Sequence, residues 1–344
     1  MSIPPSKQPD VPPPGTGIDF SISLPVLLTA AGLMLIICWL AWYFVWRPFP
    51  VDSAIPHYTR VDNVSGNLVS VGSDTLADVM VLCSRGFRQI YPEVVIQLET
   101  KGSATAPPAL IDGKSQLAPM SRPMTEDEVG AFEKKYGYKP TFYKIALDAL
   151  SIYVNKHNPI RGMTLQQVDG IFSSTLKRGG PSLETWGSLG LSGDWANKAI
   201  TLYGRDSVSG TNAYFKEHVL QNGDFKTTVH EEISEDVVDG VANEASGIGY
   251  SGIGWKTSQV RTVPLGETAG SYVEPTYTNA LAGTYPLARF LYIYVNQKPG
   301  QPLERLTGEF IKYVLSHEGQ QAVVQAKFFP LPAKMFTDTL SGRN

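Results

Sequence analysis

Gly204-Arg205-Asp206-Ser207-Val208-Ser209-Gly210-Thr211 follows a strand-like run, Ile200-Thr201-Leu202-Tyr203. It precedes a helix-periodic one, Tyr214-Phe215-Lys216-Glu217-His218-Val219-Leu220. An arginine, hydroxyl residues and glycine therefore crowd the start of a helix. Arginine supplies a planar, two-pronged donor, and Ser and Thr supply hydroxyl donors. Glycine lets backbone N–H groups approach closely. The helix start adds unpaired N–H groups and the positive end of its dipole. These are the parts of a small oxyanion site, and the same residues would also make an ordinary helix cap.

Two further segments repeat the pattern. Val71-Gly72-Ser73-Asp74-Thr75-Leu76 ends a strand-like run from Asn67 and opens a helical pattern through Val79, Leu82, Phe87 and Ile90. Lys101-Gly102-Ser103-Ala104-Thr105 follows Val94-Val95-Ile96-Gln97-Leu98 and opens a short helical stretch. Each start alone could be a cap. Three of them with one Arg, and no phosphate-loop lysine motif, predict a single anion held by several helix ends.

The chain has 344 residues and a net charge of -3, with no basic stripe, so a nucleic-acid footprint is not expected. His57, His157, His218, His230 and His317 are scattered without zinc spacing. No metal and no cofactor are expected. Cys38 and Cys83 lie in an apolar run and a helical pattern and are not expected to pair. No serine has a G-x-S-x-G flank or a His–Asp partner set, so an enzyme is not expected. Gly247-Ile248-Gly249-Tyr250-Ser251-Gly252 matches G-x-G-x-x-G, but Gly254-Trp255-Lys256-Thr257-Ser258 after it is not helical. It reads as a Gly-rich strand and turn, not a dinucleotide loop.

The N-terminal part has its own character. Residues 1–23 read as a disordered tail, Pro-rich up to Gly17. Residues 24–46 are almost wholly apolar and long enough to cross a bilayer as a helix. Trp39, Trp42, Tyr43 and Trp46 crowd the far half, as at a membrane interface. The bulky exit Tyr43-Phe44-Val45-Trp46 argues for an uncleaved anchor over a signal peptide. Lys7 on one side and Arg47 on the other nearly balance, so charge leaves the orientation open. Residues 47–61, with Pro48, Pro50 and Pro56, read as a short stiff linker.

Beyond the linker, strand patterns (67–71, 94–98, 116–120, 141–147, 150–155, 199–203, 246–250, 259–264, 288–295) alternate with helical ones. The helical patterns are 75–90, 125–136, 164–172, 211–221, 234–244 and 303–324, the last broken near Ser316. This alternation predicts an α/β fold with mostly parallel sheets. Gly and Pro cluster at 177–193, read as a surface loop containing Trp186.

Together these segments resemble the substrate-binding component of bacterial phosphate ABC importers, the PstS-type periplasmic binding proteins. The resemblance runs from about Asn67 to Leu331. It rests on Gly72-Ser73-Asp74-Thr75, Gly102-Ser103, Pro119-Met120-Ser121-Arg122-Pro123-Met124, Thr164 to Phe172, Trp186, Gly204-Arg205, Ser209-Gly210-Thr211 and Gly247-Ile248-Gly249-Tyr250. It implies a two-lobed, hinged α/β fold closing on an anion. Lobe 1 is expected at 62–150 plus 283–344, and lobe 2 at 151–282.

The resemblance further implies inorganic phosphate as ligand. The expected site comprises Ser73, Asp74, Thr75, Leu76, Ser103, Ser121, Arg205, Ser209, Gly210 and Thr211. Some family members place an Asp where Ser121 stands, to accept the proton of a protonated phosphate; Asp74 is expected to take that role here. Asp206 is expected to orient Arg205, and Arg122 to point to solvent or Glu126 while Ser121 alone meets ligand. The anchor is a departure from secreted or lipid-tethered relatives. It predicts a single-pass protein of the cytoplasmic membrane, its large domain outside the cytoplasm. The expected partner is an ABC transporter permease or another membrane complex. The alternative is a scaffold subunit of an envelope complex that reuses the fold without transport.

Overall fold

The computed structural model describes residues 50–340, together with Gly32 and Met34. The expected tail and membrane span lie outside the described residues, those two positions apart. Among the described residues, no helix is long and apolar enough to cross a membrane. The chain divides into two units, Met1–Arg47 and Pro48–Asn344.

In the second unit the strands are β1 (Gly66–Val71), β2 (Val94–Glu99), β3 (Ala118–Met120), β4 (Thr141–Ala149), β5 (Ser151–Asn155) and β6 (Met163–Thr164), then β7 (Thr201–Arg205), β8 (His230–Glu232), β9 (Gly247–Ser251), β10 (Val260–Val263), β11 (Leu265–Gly266) and β12 (Ala288–Val295). The helices are α1 (Ala77–Ile90), α2 (Ala106–Asp112), α3 (Glu126–Tyr136), α4 (Leu165–Phe172) and α5 (Gly210–His218), then α6 (Ser234–Asn243), α7 (Tyr277–Leu281), α8 (Arg305–Leu315), α9 (His317–Gln325) and α10 (Ala333–Leu340).

Local chemistry accounts for most of these elements. In α1, Val79, Met80, Cys83 and Phe87 fall on one helical face, and all are fully buried. Thr125 and Glu128 close a reciprocal capping box on α3, as Thr164 and Gln167 do on α4. Ser316 ends α8 and caps α9, which is the break expected there.

Strands β1 and β2 pair in parallel, with α1 as the crossover. Val71 N donates to Leu117 O and Ser73 N to Pro119 O, which ties β1 to the chain entering β3. β12 then lies between β3 and β4, antiparallel to both. A second sheet runs β10-β5-β9-β7-β8, in which β7 is parallel to β8 and β9, while β5 is antiparallel to β9 and β10. The α/β expectation stands, but the expectation of mostly parallel sheets does not. The returning strand β12 makes the three-stranded sheet antiparallel, and the β5 pairings make the five-stranded sheet mixed.

Two local expectations are also corrected. Trp186 is fully buried, with its ring N–H donating to Ser246 O, so it belongs to the core. Residues 52–61, expected as linker, are fastened to the body. Asp52 accepts from Ala333 N, Pro56 O from His317 N, and Glu318 from Tyr58 N.

Candidate functional site

Three loops leave the C-terminal ends of parallel strands and converge. One runs from β1 to α1, one from β2 to the 3-10 turn Ser103–Thr105, and one from β7 to α5. Ligands in open α/β sheets bind outside such strand ends. Gly102 sits at φ 108, a backbone region that favours glycine. A Cβ there would lie 2.6 Å from Val208 O, and Val208 O accepts from Ala104 N. The second and third loops are thereby laid against each other. A Cβ on Gly210 would come within 2.3 Å of Ser103 Oγ and 2.6 Å of Ser121 Oγ. Only a glycine lets the start of α5 close on both serines.

Hydroxyls gather at this point. Ser103 Oγ lies 3.2 Å from Ser121 Oγ and accepts from Ser121 N at 3.0 Å. Thr75 Oγ1 lies 3.0 Å from Thr211 Oγ1. Ser73, Thr75, Ser103, Ser121 and Thr211 are all fully buried. Leu76 puts its side chain in the core and its backbone at the start of α1. Ser209 caps α5, accepting from Thr211 N at 3.1 Å and Asn212 N at 3.4 Å. Thus Ser209 acts on its own helix through the oxygen, and its hydroxyl hydrogen is the part left to donate.

Arg205 ends β7 with 1% of its surface exposed. Its Nε donates to Glu232 O at 3.1 Å, Nη1 to Ser234 Oγ and Nη2 to an Asp74 carboxylate oxygen. Burial pulls its guanidinium below the usual arginine value, and the Asp74 and Asp206 carboxylates oppose that. The backbone of Arg205 is fixed as well. Its N–H donates to Tyr250 OH, and its carbonyl accepts from Asn212 Nδ2. Tyr250 stacks on Phe215 at 3.9 Å, fully buried, which makes it core beneath the site.

The expected residues therefore come together: the first loop, Ser103, Ser121, Arg205 and the start of α5 share one centre. Two neighbours behave differently from expectation. Asp206 Oδ1 accepts from Val208 N and Ser209 N, capping its own turn, and the carboxylate that pairs with Arg205 is Asp74. Arg122 makes a two-pronged pair with Glu128 at 2.7 Å, not with Glu126, because Glu128 also closes the α3 capping box. The G-x-G-x-x-G match forms β9 and a turn into a 3-10 turn at Ile253–Trp255, so the helix a dinucleotide loop needs is not there.

One pair escapes the motif reading. Arg289 on β12 and Asp148 on β4 are register partners in adjacent strands. Their side chains are 2% and 0% exposed and 2.8 Å apart. Arg289 Nη2 also donates to Thr211 Oγ1 at 2.9 Å, joining this pair to the site. The signal was in the sequence: each is an isolated charge in an apolar strand run, Ile145-Ala146-Leu147 and Phe290-Leu291-Tyr292-Ile293. Among the described residues, three buried polar atoms here find no partner, namely Ser73 Oγ, Asp74 Oδ1 and Arg289 Nη1. Buried polar atoms are rarely left so. Among the described residues, no cluster of His, Cys, Asp and Glu could hold a metal ion.

An α/β body with hydroxyls, helix starts and a buried arginine at its strand ends defines a ligand-binding protein of the periplasmic-binding-protein type. The PBP superfamily domain matches residues 59–318. A phosphate-binding protein PstS from Pseudomonas aeruginosa is 54% identical over 288 residues, covering 83% of this chain and 89% of that one. A phosphate-binding protein PstS from Staphylococcus saprophyticus is 29% identical, over 80% of this chain and 84% of its own. An ABC-type phosphate transport receptor from Vibrio cholerae superposes with a TM-score of 0.61 at 22% identity, covering 77% of this chain and 100% of that one. The chain belongs to the PstS family of phosphate-binding proteins within the PBP superfamily. It is thus a binding protein and not an enzyme.

Proposed function

We propose that this chain captures inorganic phosphate at the Arg205 centre and hands it to an ABC transporter permease. The carrying observation is the convergence of Thr75, Ser103, Ser121, Thr211 and two buried arginines on one point. A tetrahedral oxyanion needs donors from several directions. Hydroxyls, helix-start N–H groups and a guanidinium supply them. Asp74 adds the complementary function, an acceptor-only oxygen for the proton that phosphate keeps near neutral pH. The 54% identity to a phosphate-binding protein supports the same ligand.

In this reading the site residues are Ser73, Asp74, Thr75, Leu76, Ser103, Ser121, Arg205, Ser209, Gly210 and Thr211. The lobes are 62–150 with 283–344, and 151–282, hinged where β4 passes to β5 and where β12 returns. The apolar run 24–46 tethers the protein to the cytoplasmic membrane, with the binding unit outside the cytoplasm.

Calorimetric titration of the full chain in detergent tests the ligand. Phosphate is expected to bind far more tightly than sulfate, and no heat from millimolar phosphate would refute the reading. Alkaline carbonate extraction tests the tether: the chain is expected in the membrane pellet, and release into the supernatant would remove that part.

A further inference from the structure

We propose that Arg289 is a positioning residue of the phosphate site, acting through the Thr211 hydroxyl. The inference rests on the phosphate reading above and adds to it a residue that sits behind the expected loops.

Arg289 is held on several sides. Asp148 Oδ2 accepts from its Nε at 2.9 Å, and Asp148 Oδ1 accepts from Ile253 N at 3.0 Å. The guanidinium lies 5.3 Å from the centre of the Tyr214 ring. Tyr214 is fixed in turn, its hydroxyl donating to Ala288 O at 2.9 Å. From this seat Nη2 reaches Thr211 Oγ1.

The direction of that last bond matters. A guanidinium can only donate, so Thr211 Oγ1 must accept. A threonine hydroxyl has one proton, and with a lone pair committed to Arg289 that proton points to another acceptor. Thr75 Oγ1 lies 3.0 Å away on the site side, and either hydroxyl of that pair can be the donor, so the Thr211 proton is free to turn to the anion. A buried cation on the oxygen also polarises the O–H bond and makes it a better donor. Arg289 thereby occupies one of the two lone pairs of Thr211 and biases its hydroxyl toward donating to the anion. Asp148 keeps the guanidinium in place and offsets its charge.

A plain structural staple between β4 and β12 would need the same ion pair but not the bond to Thr211. The two roles separate in a double-mutant cycle on the full chain, with phosphate as the titrant. Arg289→Lys keeps a positive charge beside Asp148 but lacks the planar fork that spans Asp148 and Thr211 together. Thr211→Val removes the hydroxyl at nearly constant shape. Each single variant is expected to weaken phosphate binding at least about tenfold, and the double variant should bind within about twofold of Thr211→Val alone. Losses that multiply in the double variant would overturn the proposal, as would an Arg289→Lys protein that binds like wild type. Should Arg289→Lys not fold, Thr211→Ser against Thr211→Val decides. Serine is expected to keep most of the affinity, and equal affinities would overturn the role of the oriented hydroxyl. A wild-type chain that ignores phosphate would instead refute the proposed function, and this inference with it.

Discussion

Arg205 and Asp74 stand 131 residues apart in the chain, yet the guanidinium of one donates directly to the carboxylate of the other. The pair sits where the β1 and β7 loops meet, with Arg205 nearly without exposure and the Asp74 side chain 17% exposed. The site's cation is therefore already paired within the protein. Nε and Nη1 are taken by Glu232 O and Ser234 Oγ, which fixes the fork in one orientation.

Removing the fork should abolish tight binding. Truncating one partner of a buried charge pair costs roughly 2–5 kcal/mol, much of it from the charge left alone. Arg205→Ala is expected to weaken phosphate binding by about two orders of magnitude or more at 1.4 kcal/mol per tenfold. Titration calorimetry beside thermal melts would check this. Affinity within threefold of wild type would place Arg205 outside the site.

Asp74 carries the second prediction. Its Oδ2 faces Arg205, and its Oδ1 is buried without a partner among the described residues. An ionised carboxylate accepts a hydrogen bond from protonated phosphate but meets only lone pairs on sulfate, and like charges so placed cost several kcal/mol. Asp74→Asn should weaken phosphate and measurably strengthen sulfate. An unchanged ratio of the two affinities would show that discrimination lies with Ser121 or backbone carbonyls.

The loops were legible because each carries its chemistry in a local string: strand, then Gly/Ser/Thr, then helix. Ser73 to Leu76, Ser103 and Arg205 to Thr211 could be read that way, whereas Ser121 came only with the family resemblance. Pairings between strings were not legible. Asp206 is adjacent to Arg205, but successive residues leaving a strand point to opposite faces. The distant Asp74 becomes the partner and Asp206 turns back to cap its loop. Asp148 and Arg289 are charges in apolar runs that the motif reading passed over, and what joins them is the return of β12 between β3 and β4. No local pattern encodes that insertion. The two-residue strands β6 and β11 are too short to carry a period at all.

Glu318 gives a pH-dependent prediction away from the site. Burial pushes its pKa up, but hydrogen bonds from Tyr58 N, His57, its own N–H and Ser316 outweigh that and hold it at about 2, against an ordinary 4.5. A depressed carboxylate contributes stability above its unfolded pKa and loses it as pH falls through the folded one. The contribution is therefore present above about pH 4.5 and gone below about pH 2. Glu318→Gln should lower the melting temperature at neutral pH, with the gap to wild type closing across that window. A gap constant with pH would mean that the charge of Glu318 does not hold the 52–61 segment.

Gly210 tests whether the site exists only when the loops meet. Its position at the start of α5 suits alanine, which forms helix better than glycine by roughly 1 kcal/mol in helix interiors. Its surroundings do not. An added Cβ would lie 2.3 Å from Ser103 Oγ, 2.6 Å from Ser121 Oγ and 2.7 Å from Ser103 Cβ. All three atoms come from loops on the β1–β2–β3 side, whereas Gly210 comes from the β7 side. If the sides part when phosphate is absent, Gly210→Ala has room in the free form and none in the bound one. The variant should then melt close to wild type without ligand. It should bind phosphate at least about tenfold more weakly, since one kilocalorie and a half of strain suffices for that. Small-angle scattering should show the wild-type chain contracting on saturation with phosphate and the variant contracting less. A variant that loses stability without ligand, and loses affinity only in proportion, would mean that the two sides stay in contact throughout.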